Sequence, residues 1–455
     1  KKATQRLPPY RGFHHFLFIR KHLTTRVWHR IFLVLVYRTQ YAAKNYSTMR
    51  ILVLTQYYPP EIGAPQNRLH ELAVRLKAYG AEIELLTALP NYPHMKIQAA
   101  YQRGKNREEQ IDGIPVHRAA IYVSSSKRIV ARLLNYFSFV WTSYWRGRKL
   151  EKFDYLLVES PPLFLGYSAM ALAKKLQAKL IFNVSDLWPE SAEKLGIVNN
   201  QALLKMAYRL EAKCYRNAAL ITGQTQGIVA DIKARFPEKE VYWLPNGVNI
   251  DYYKPSNLNE SDFRTRNGFK ASDLLFFYGG ILGHAQGLEV ILHAAEQLLM
   301  HPHIHFILQG SGPEKEKLIA LKASLNLSNI HFLEPVSKTE MPAILQAIDV
   351  ALVPLKNLPL FQGAIPSKVF EALAMEVPLL LGVDGEARQH FIDKAAAGWY
   401  FEPENARELA NVIQSIVEKP DDIKSAGKNG RIYVSQHFNR DQIAASLYQH
   451  LISLS

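Results

Sequence analysis

Arg50-Ile-Leu-Val-Leu-Thr-Gln-Tyr-Tyr58 reads as a buried strand that runs into Pro59-Pro-Glu-Ile-Gly63-Ala-Pro and then into a helical pattern over residues 68–79. Past the middle of the chain, Leu274-Leu-Phe-Phe-Tyr278 repeats the design. It runs into Gly279-Gly280-Ile-Leu-Gly283-His-Ala-Gln-Gly287 and another helix. A strand, a glycine-bearing loop and a helix start make a place for a phosphate. Free N–H groups at the helix N-terminus favour negative charge, and glycine lets the backbone come close. Two such units predict two doubly wound, Rossmann-like α/β domains facing a shared nucleotide cleft.

The intervening sequence agrees. Apolar runs of strand length recur at residues 83–89, 116–122, 155–159, 180–184, 220–223 and 241–244, then at 305–308, 330–333, 350–354 and 378–383. They are rich in Val, Ile and Leu and do not strictly alternate, as expected of parallel strands covered on both faces. Helical patterns separate them, which implies doubly wound sheets. Pro245-Asn246-Gly247 marks a turn. The expected division is a basic extension over 1–48, a first α/β domain over 49–245, a second over 246–430 and a helical segment over 431–455.

A chain of 455 residues has room for two or three cores. Its single cysteine, Cys214, excludes an internal disulfide and a cysteine zinc cluster, and it suits a reducing cytoplasm. The net charge of +15 is uneven: residues 1–48 hold ten Lys or Arg and no Asp or Glu, leaving +5 for the rest. Two readings of this leader stay open. Met49 is the natural start and 1–48 an upstream extension, or the segment is a basic membrane-surface arm with Phe13, Phe16, Phe18 and Trp28.

Residues 128–150 form a helical pattern with Leu133, Leu134, Tyr136, Phe137, Phe139, Val140, Trp141, Tyr144 and Trp145, flanked by Lys127, Arg128, Arg132, Arg146, Arg148 and Lys149. Apolar residues cover more than one stripe, and cations at both ends suit a surface of anionic headgroups. The plain alternative is a domain helix with one face buried.

Five segments occur in order: Gly63-Ala-Pro-Gln-Asn-Arg68, Pro245-Asn246-Gly247-Val248, Gln286-Gly287-Leu-Glu289, Gly310-Ser-Gly312-Pro313-Glu314 and Pro366-Ser367-Lys368-Val-Phe-Glu371-Ala-Leu-Ala. From about Met49 to the C-terminus the chain resembles GT-B-fold glycosyltransferases of family 4, a retaining group. Asn91-Tyr92-Pro93 and Asp186-Leu-Trp188-Pro189-Glu190-Ser191 are similar to the subgroup that adds N-acetylated amino sugars such as N-acetylfucosamine. The resemblance implies substrate-binding roles for Gly63, Arg68, Gly280, Gln286, Gly287, Gly310, Gly312, Glu334, Pro366, Ser367, Lys368 and Glu371. It implies a UDP-sugar donor, a lipid-linked sugar acceptor at the inner membrane surface, no cofactor, and no specific nucleic acid.

Residue chemistry supports parts of this. Proline sets up the turn before residues 369–374, and Ser367 is expected as N-cap. Lys368 and the first N–H groups of that helix are suited to a diphosphate. Glu371 shares their face, three residues on, and by similarity accepts the ribose hydroxyls; the plain alternative is an ion pair with Lys368. The Gly310–Glu314 turn and the Glu334 main chain are expected to meet the nucleotide and its base by similarity. Asp186 and Glu190, at a strand end facing the cleft, are the candidate catalytic carboxylates, with helix capping as the plain alternative. His70, His94 and His284 are weaker candidates, since a lone histidine is more often structural.

Two departures stand out. The family commonly shows two glutamates eight positions apart, and here the earlier position is Gly363. Its common Arg and Lys in the first nucleotide-domain loop correspond to Gly280 and Gln286. Lys368 is expected to take over part of the missing charge, helped by helix dipoles and by Arg68 across the cleft. No Asp-x-Asp pair at a strand end or histidine pair at helical spacing suggests a metal. The rival readings are a UDP-sugar 2-epimerase of similar two-domain fold and a non-catalytic basic binding protein for membrane or nucleic acid.

Overall fold

The computed structural model describes residues 48–454 apart from 62, 93, 94, 127 and 256–259. The calls on the leader, Pro93, His94 and Lys127 therefore lie outside the described residues. The chain divides into two compact units, Lys1–Met49 and Arg50–Ser455, and the second carries both sheets.

The first sheet holds β1 (Arg50–Leu54), β2 (Glu82–Ala88), β3 (Glu108–Ile111), β4 (Ile114–Ala119), β5 (Tyr155–Ser160), β6 (Lys179–Val184), β7 (Leu220–Gly223) and β8 (Val241–Trp243), in the order β3-β4-β2-β1-β5-β6-β7-β8. Val53 stands opposite Leu85 on one side and Leu157 on the other, both in parallel register. The second sheet holds β9 (Leu274–Gly279), β10 (Ile304–Gln309), β11 (Ile330–Leu333), β12 (Val350–Pro354), β13 (Leu379–Gly382) and β14 (Gly398–Tyr400), in the order β11-β10-β9-β12-β13-β14. The architecture is GT-B: two Rossmann-like lobes. Strand order reverses between β1 and β5 in one sheet and between β9 and β12 in the other. Crevices for ligands open at the C-terminal ends of strands at such points.

The structure adds two strands to those read from apolar runs. β3 pairs antiparallel with β4 through Asp112-Gly113, both with positive φ (50° and 69°). That is the turn which matches hairpin twist. β3 is Glu108-Glu-Gln-Ile111, too polar to register as an apolar run. The other addition, β14, is only three residues long.

The Ile129–Gly147 helix is built inside out. Its buried positions, Asn135, Phe139, Ser143 and Gly147, are four apart and mostly small or polar. They permit close packing on the Leu165–Leu176 helix, where the Ser143 and Ser168 hydroxyls lie 2.9 Å apart. A Cβ at 147 would stand 2.7 Å from Leu86 and 2.9 Å from Leu172. Its outward row is Val130, Leu134, Phe137, Trp141 and Trp145, with Trp141 66% exposed.

The C-terminal helices tie the lobes together. Helix Pro420–His437 runs unbroken across the 430/431 boundary expected from sequence. It ends at Phe438, and helix Arg440–Leu454 returns to the first lobe. There Arg75 Nε donates to Asp441 at 2.7 Å and Tyr155 donates to the Leu451 carbonyl at 2.8 Å. Two acidic residues also join the lobes. Glu71, in helix Ala64–Ala78, pairs with Lys338 and Arg440, each at 2.7 Å. Glu386, from beyond β13, accepts from the Gln226 and Gly227 N–H groups at 2.7 and 2.8 Å, at the start of helix Gln226–Arg235. A carboxylate is stabilised there by the unpaired N–H groups of the first turn.

Burial alone would raise the Glu71 carboxyl, but Arg440 and Lys338 outweigh it and hold the group at about 2. Its stabilising contribution is therefore complete above the ordinary carboxylate range and is lost as pH falls through about 2. Glu71→Gln is expected to cost about 1–3 kcal/mol at neutral pH, because two cations lose their partner. Denaturant titrations of both chains from pH 7 to 3 should show the gap narrowing below about pH 4.5; a gap that widens on acidification contradicts the assignment.

Candidate active site

Strand β9 ends in Gly279, and the chain then passes Gly280 at φ 139°, a backbone conformation that favours glycine. Beside it stands Lys368, the first residue of the Lys368–Ala374 helix that follows β12. Its Nζ lies 3.5 Å from the centre of the Tyr278 ring and 3.3 Å from where a Cβ at 280 would be. Confinement in the protein pushes this ammonium down to about 7, with Glu371 acting in the opposite direction. A half-buried lysine against a ring and a bare backbone is well placed to gain from an incoming anion.

Glu371 lies one turn further along and does not pair with Lys368. The Tyr253 hydroxyl hydrogen-bonds its carboxylate, and Arg440 and Lys338 bear on it from nearby. Burial nonetheless raises its pKa. Ser367 departs from expectation: its backbone is already helical (φ −59°, ψ −27°) and its hydroxyl makes no cap. The Pro366 carbonyl instead accepts from Val369 N–H at 3.1 Å.

Gly310 and Gly312 have a structural explanation. A Cβ at 310 would lie 1.8 Å from the Gly280 carbonyl oxygen, and one at 312 would lie 2.2 Å from that of Leu282. The two strand-to-helix turns pack backbone on backbone, with Leu282 N–H donating to Ser311 O at 2.9 Å. Glu334 is exposed and its carboxylate pairs with Lys315 at 2.6 Å, while its carbonyl accepts from Gln309 at 3.0 Å. Gln286 closes a short turn, and Gly287 follows with φ 58°. Lys356, from the end of β12, reaches this turn: its Nζ is 3.0 Å from His284 Nε2.

In the first lobe, Gly63 precedes the Ala64–Ala78 helix, and Arg68 on that helix is buried. The Arg68 guanidinium meets Glu159 at 2.5 Å and Ser185 Oγ at 2.8 Å. Glu159 also accepts from Asn183 at 2.5 Å, and Thr222 donates to Asn183 at 2.6 Å. Arg68 is thus occupied within its own lobe, which corrects the expectation of a free cation across the cleft. A buried ion pair of this kind persists only with its carboxylate in place.

Asp186 follows β6 and is exposed, yet the atoms crowded around its carboxyl raise its pKa, with Glu190 adding to the effect. Ser191 donates to it at 2.8 Å. Glu190 is half-buried and pairs with Lys194 one turn along its helix. A carboxyl held high yet open to the cleft suits proton transfer better than one already paired. His70 sits between Tyr58 and Asp112, 2.8 Å from each, in a structural role.

Two family models match the chain, one on each lobe: the glycosyl transferase 4-like domain over residues 63–247 and glycosyl transferases group 1 over 259–433. The chain is a GT-B glycosyltransferase of these families. A protein of Escherichia coli (strain K12) named as a colanic acid biosynthesis glycosyl transferase, WcaI, is 25% identical over 334 residues, which cover 72% of this chain and 81% of that protein. Among solved structures, Anabaena Alr3699/HepE in complex with UDP and glucose aligns with a TM-score of 0.66 at 19% identity, over 89% of this chain and all of that one. WaaG, a glycosyltransferase involved in lipopolysaccharide biosynthesis, aligns with a TM-score of 0.62 at 17% identity, over 88% and 99%. These two likenesses establish the fold.

In this glycosyltransferase Gly363 stands where the lobes meet. Gly363 lies against Gly227 of the opposite lobe, where a Cβ at 227 would come within 3.0 Å of the Gly363 Cα. The lobes meet there, beside the Glu386 contact. Sequence reasoning missed Tyr253, Tyr278, Lys356 and Glu386. Tyr278 alone carried a local signal, as the strand residue two before Gly280.

A diphosphate that binds the Lys368 ammonium makes affinity pH-dependent. Binding should be full below about pH 7 and fall above it, by up to about tenfold per unit, until the pKa of the bound state is passed. Calorimetric titration with UDP from pH 6 to 9 is expected to show this slope in the native chain and none in Lys368→Met. Equal slopes in both would remove Lys368 from the site.

Proposed function

We propose that this glycosyltransferase moves a sugar, an N-acetylated amino sugar, from a UDP donor to a polyprenyl-diphosphate-linked sugar in bacterial surface polysaccharide synthesis, with retention of anomeric configuration. The observation that carries the reading is the pairing of Lys368 beside Gly280 with Glu371 one turn on, at the second switch point. A confined ammonium offers charge to a diphosphate, and a confined carboxylate accepts hydroxyls of a ribose. The names of WcaI and WaaG support the polysaccharide setting, and the UDP complex of HepE supports the nucleotide.

Bond breaking places charge on the leaving diphosphate, and Lys368 is the group on hand to neutralise it. No side chain stands out as a covalent nucleophile, which favours attack from the leaving-group face through an oxocarbenium-like state. Asp186 is the candidate to take the acceptor proton, ahead of Glu190. Closing the two lobes over the bound donor excludes water and limits donor hydrolysis.

The apolar row on the Ile129–Gly147 helix supports work at the cytoplasmic face of the inner membrane. Among the described residues no helix is long and apolar enough to cross a membrane. An exposed aromatic row flanked by Arg128, Arg132, Arg148 and Lys149 matches the interface of an anionic bilayer. The Arg148 guanidinium lies 4.2 Å over the Trp145 ring.

Mass spectrometry of a UDP-sugar panel with a polyprenyl-diphosphate sugar should show acceptor mass gained only when donor and acceptor are both present. A new UDP-sugar formed without acceptor would establish the epimerase instead. For the membrane face, Trp141→Gln with Trp145→Gln is expected to lower sedimentation with phosphatidylglycerol vesicles by about tenfold or more. Unchanged partition would remove that face from membrane docking.

A further inference from the structure

The outward aromatic row of the Ile129–Gly147 helix does not stop at the helix. This helix leads directly into β5, so its first turns lie at the C-terminal edge of the first sheet, the edge that opens on the cleft. There Phe137 meets Phe164 with ring centres 4.9 Å apart, and Tyr136 meets the same ring at 6.1 Å. Phe164 meets Trp188 at 5.5 Å, nearly edge to face. Phe164 lies in the turn after β5, and Trp188 lies in the turn after β6, two residues beyond Asp186. At the outer end Trp141 and Trp145 stand 5.7 Å apart. Rings run in contact from Phe137 through Phe164 to Trp188, two residues from the candidate catalytic carboxylate, and the Trp141–Trp145 pair lies further along the same helix face.

Polar groups stand beside the helix at Tyr136. Gln56 follows β1 and donates to Asn135 at 2.8 Å, while its own Oε1 is buried without a partner among the described residues. Asn91, after β2, likewise has a buried, unpartnered Oδ1. Both residues are 1% exposed. Tyr57 lies between them in the chain and packs on Tyr92 with ring centres 5.9 Å apart. Buried acceptors without donors are costly unless something supplies them. Arg128 and Arg132 are exposed in the first turns of the helix, beside the start of the ring line.

We propose that Phe137, Phe164 and Trp188 form the acceptor subsite, with Phe137 and Phe164 receiving the first isoprene units of a polyprenyl diphosphate. Trp188 stacks on the apolar face of the attached sugar and holds it beside Asp186. Arg128 and Arg132 attract the acceptor's diphosphate. The subsite rests on the glycosyltransferase reading above and names the residues that select its acceptor. Burying methylene groups strengthens binding by about fourfold each, so a few isoprene carbons suffice for selectivity. Sugar rings carry C–H faces that pack on aromatic rings.

Farnesyl diphosphate serves as the probe, titrated against the full chain below its micelle-forming range, with UDP titrated separately and phosphatidylglycerol vesicles sedimented in parallel. Phe164→Ala and Trp188→Ala are each expected to weaken farnesyl diphosphate binding about tenfold. UDP affinity and vesicle partition should stay within about twofold. Phe137→Gln, an exposed position whose change spares the core, provides the arm that does not depend on core packing, and it should weaken the same probe. Pyrophosphate should bind alike in all four proteins. Farnesyl diphosphate affinity unchanged in Phe137→Gln and in whichever core variants fold overturns the subsite while leaving the donor site standing. Failure of the unmodified chain to bind UDP overturns the reading beneath it, and the subsite with it.

Discussion

In the second lobe, two strand-to-helix turns lie backbone on backbone. The Gly280 carbonyl occupies the place a side chain at 310 would need, and the Leu282 carbonyl does the same at 312. That contact holds the loop with Gly280 bare toward Lys368. The nearby cation is Lys368, on the helix that follows β12, and the Tyr278 ring takes one of its sides. A site assembled this way keeps its ammonium poorly solvated until an anion arrives. Electrostatic interactions strengthen as water is excluded, so a lysine in this setting gains more from a diphosphate than an exposed one would.

The first lobe solves the opposite problem. Its buried arginine is matched inside the lobe by Glu159, and the remaining valences of that carboxylate are met by Asn183 and Ser185. Such a network fixes the strand ends on which Ser185 and Asp186 ride. Burial raises the pKa of the Asp186 carboxyl, and Glu190 adds to the effect.

The lobes are joined by contacts that are themselves charged and partly buried. Glu71 gathers Lys338 and Arg440, two groups that also bear on Glu371. The environment of the proposed ribose acceptor is therefore set partly by a residue of the opposite lobe. Glu386 and the Gly227–Gly363 approach hold the other side of the junction. Gly363 stands at this junction, with Gly227 of the opposite lobe beside it.

The sequence by itself determined the two-sheet, doubly wound design, because Val, Ile and Leu runs of strand length separated by helical patterns have few other ways to bury both faces. It also determined the glycine loop at 279–287, the Lys368–Glu371 turn and the cluster at Asp186. All of these are local patterns with local physical causes. β3 was hidden because a polar edge strand has no apolar run, although Asp112-Gly113 carried its turn signal. Only the tertiary structure decided that Arg68 is neutralised by Glu159, that Gly310 and Gly312 serve loop packing, and that Tyr253 reaches Glu371. It also decided which face of the Ile129–Gly147 helix turns outward. Each of these depends on which residues distant in sequence share one small volume, and burial and ion pairing are properties of that volume rather than of any segment.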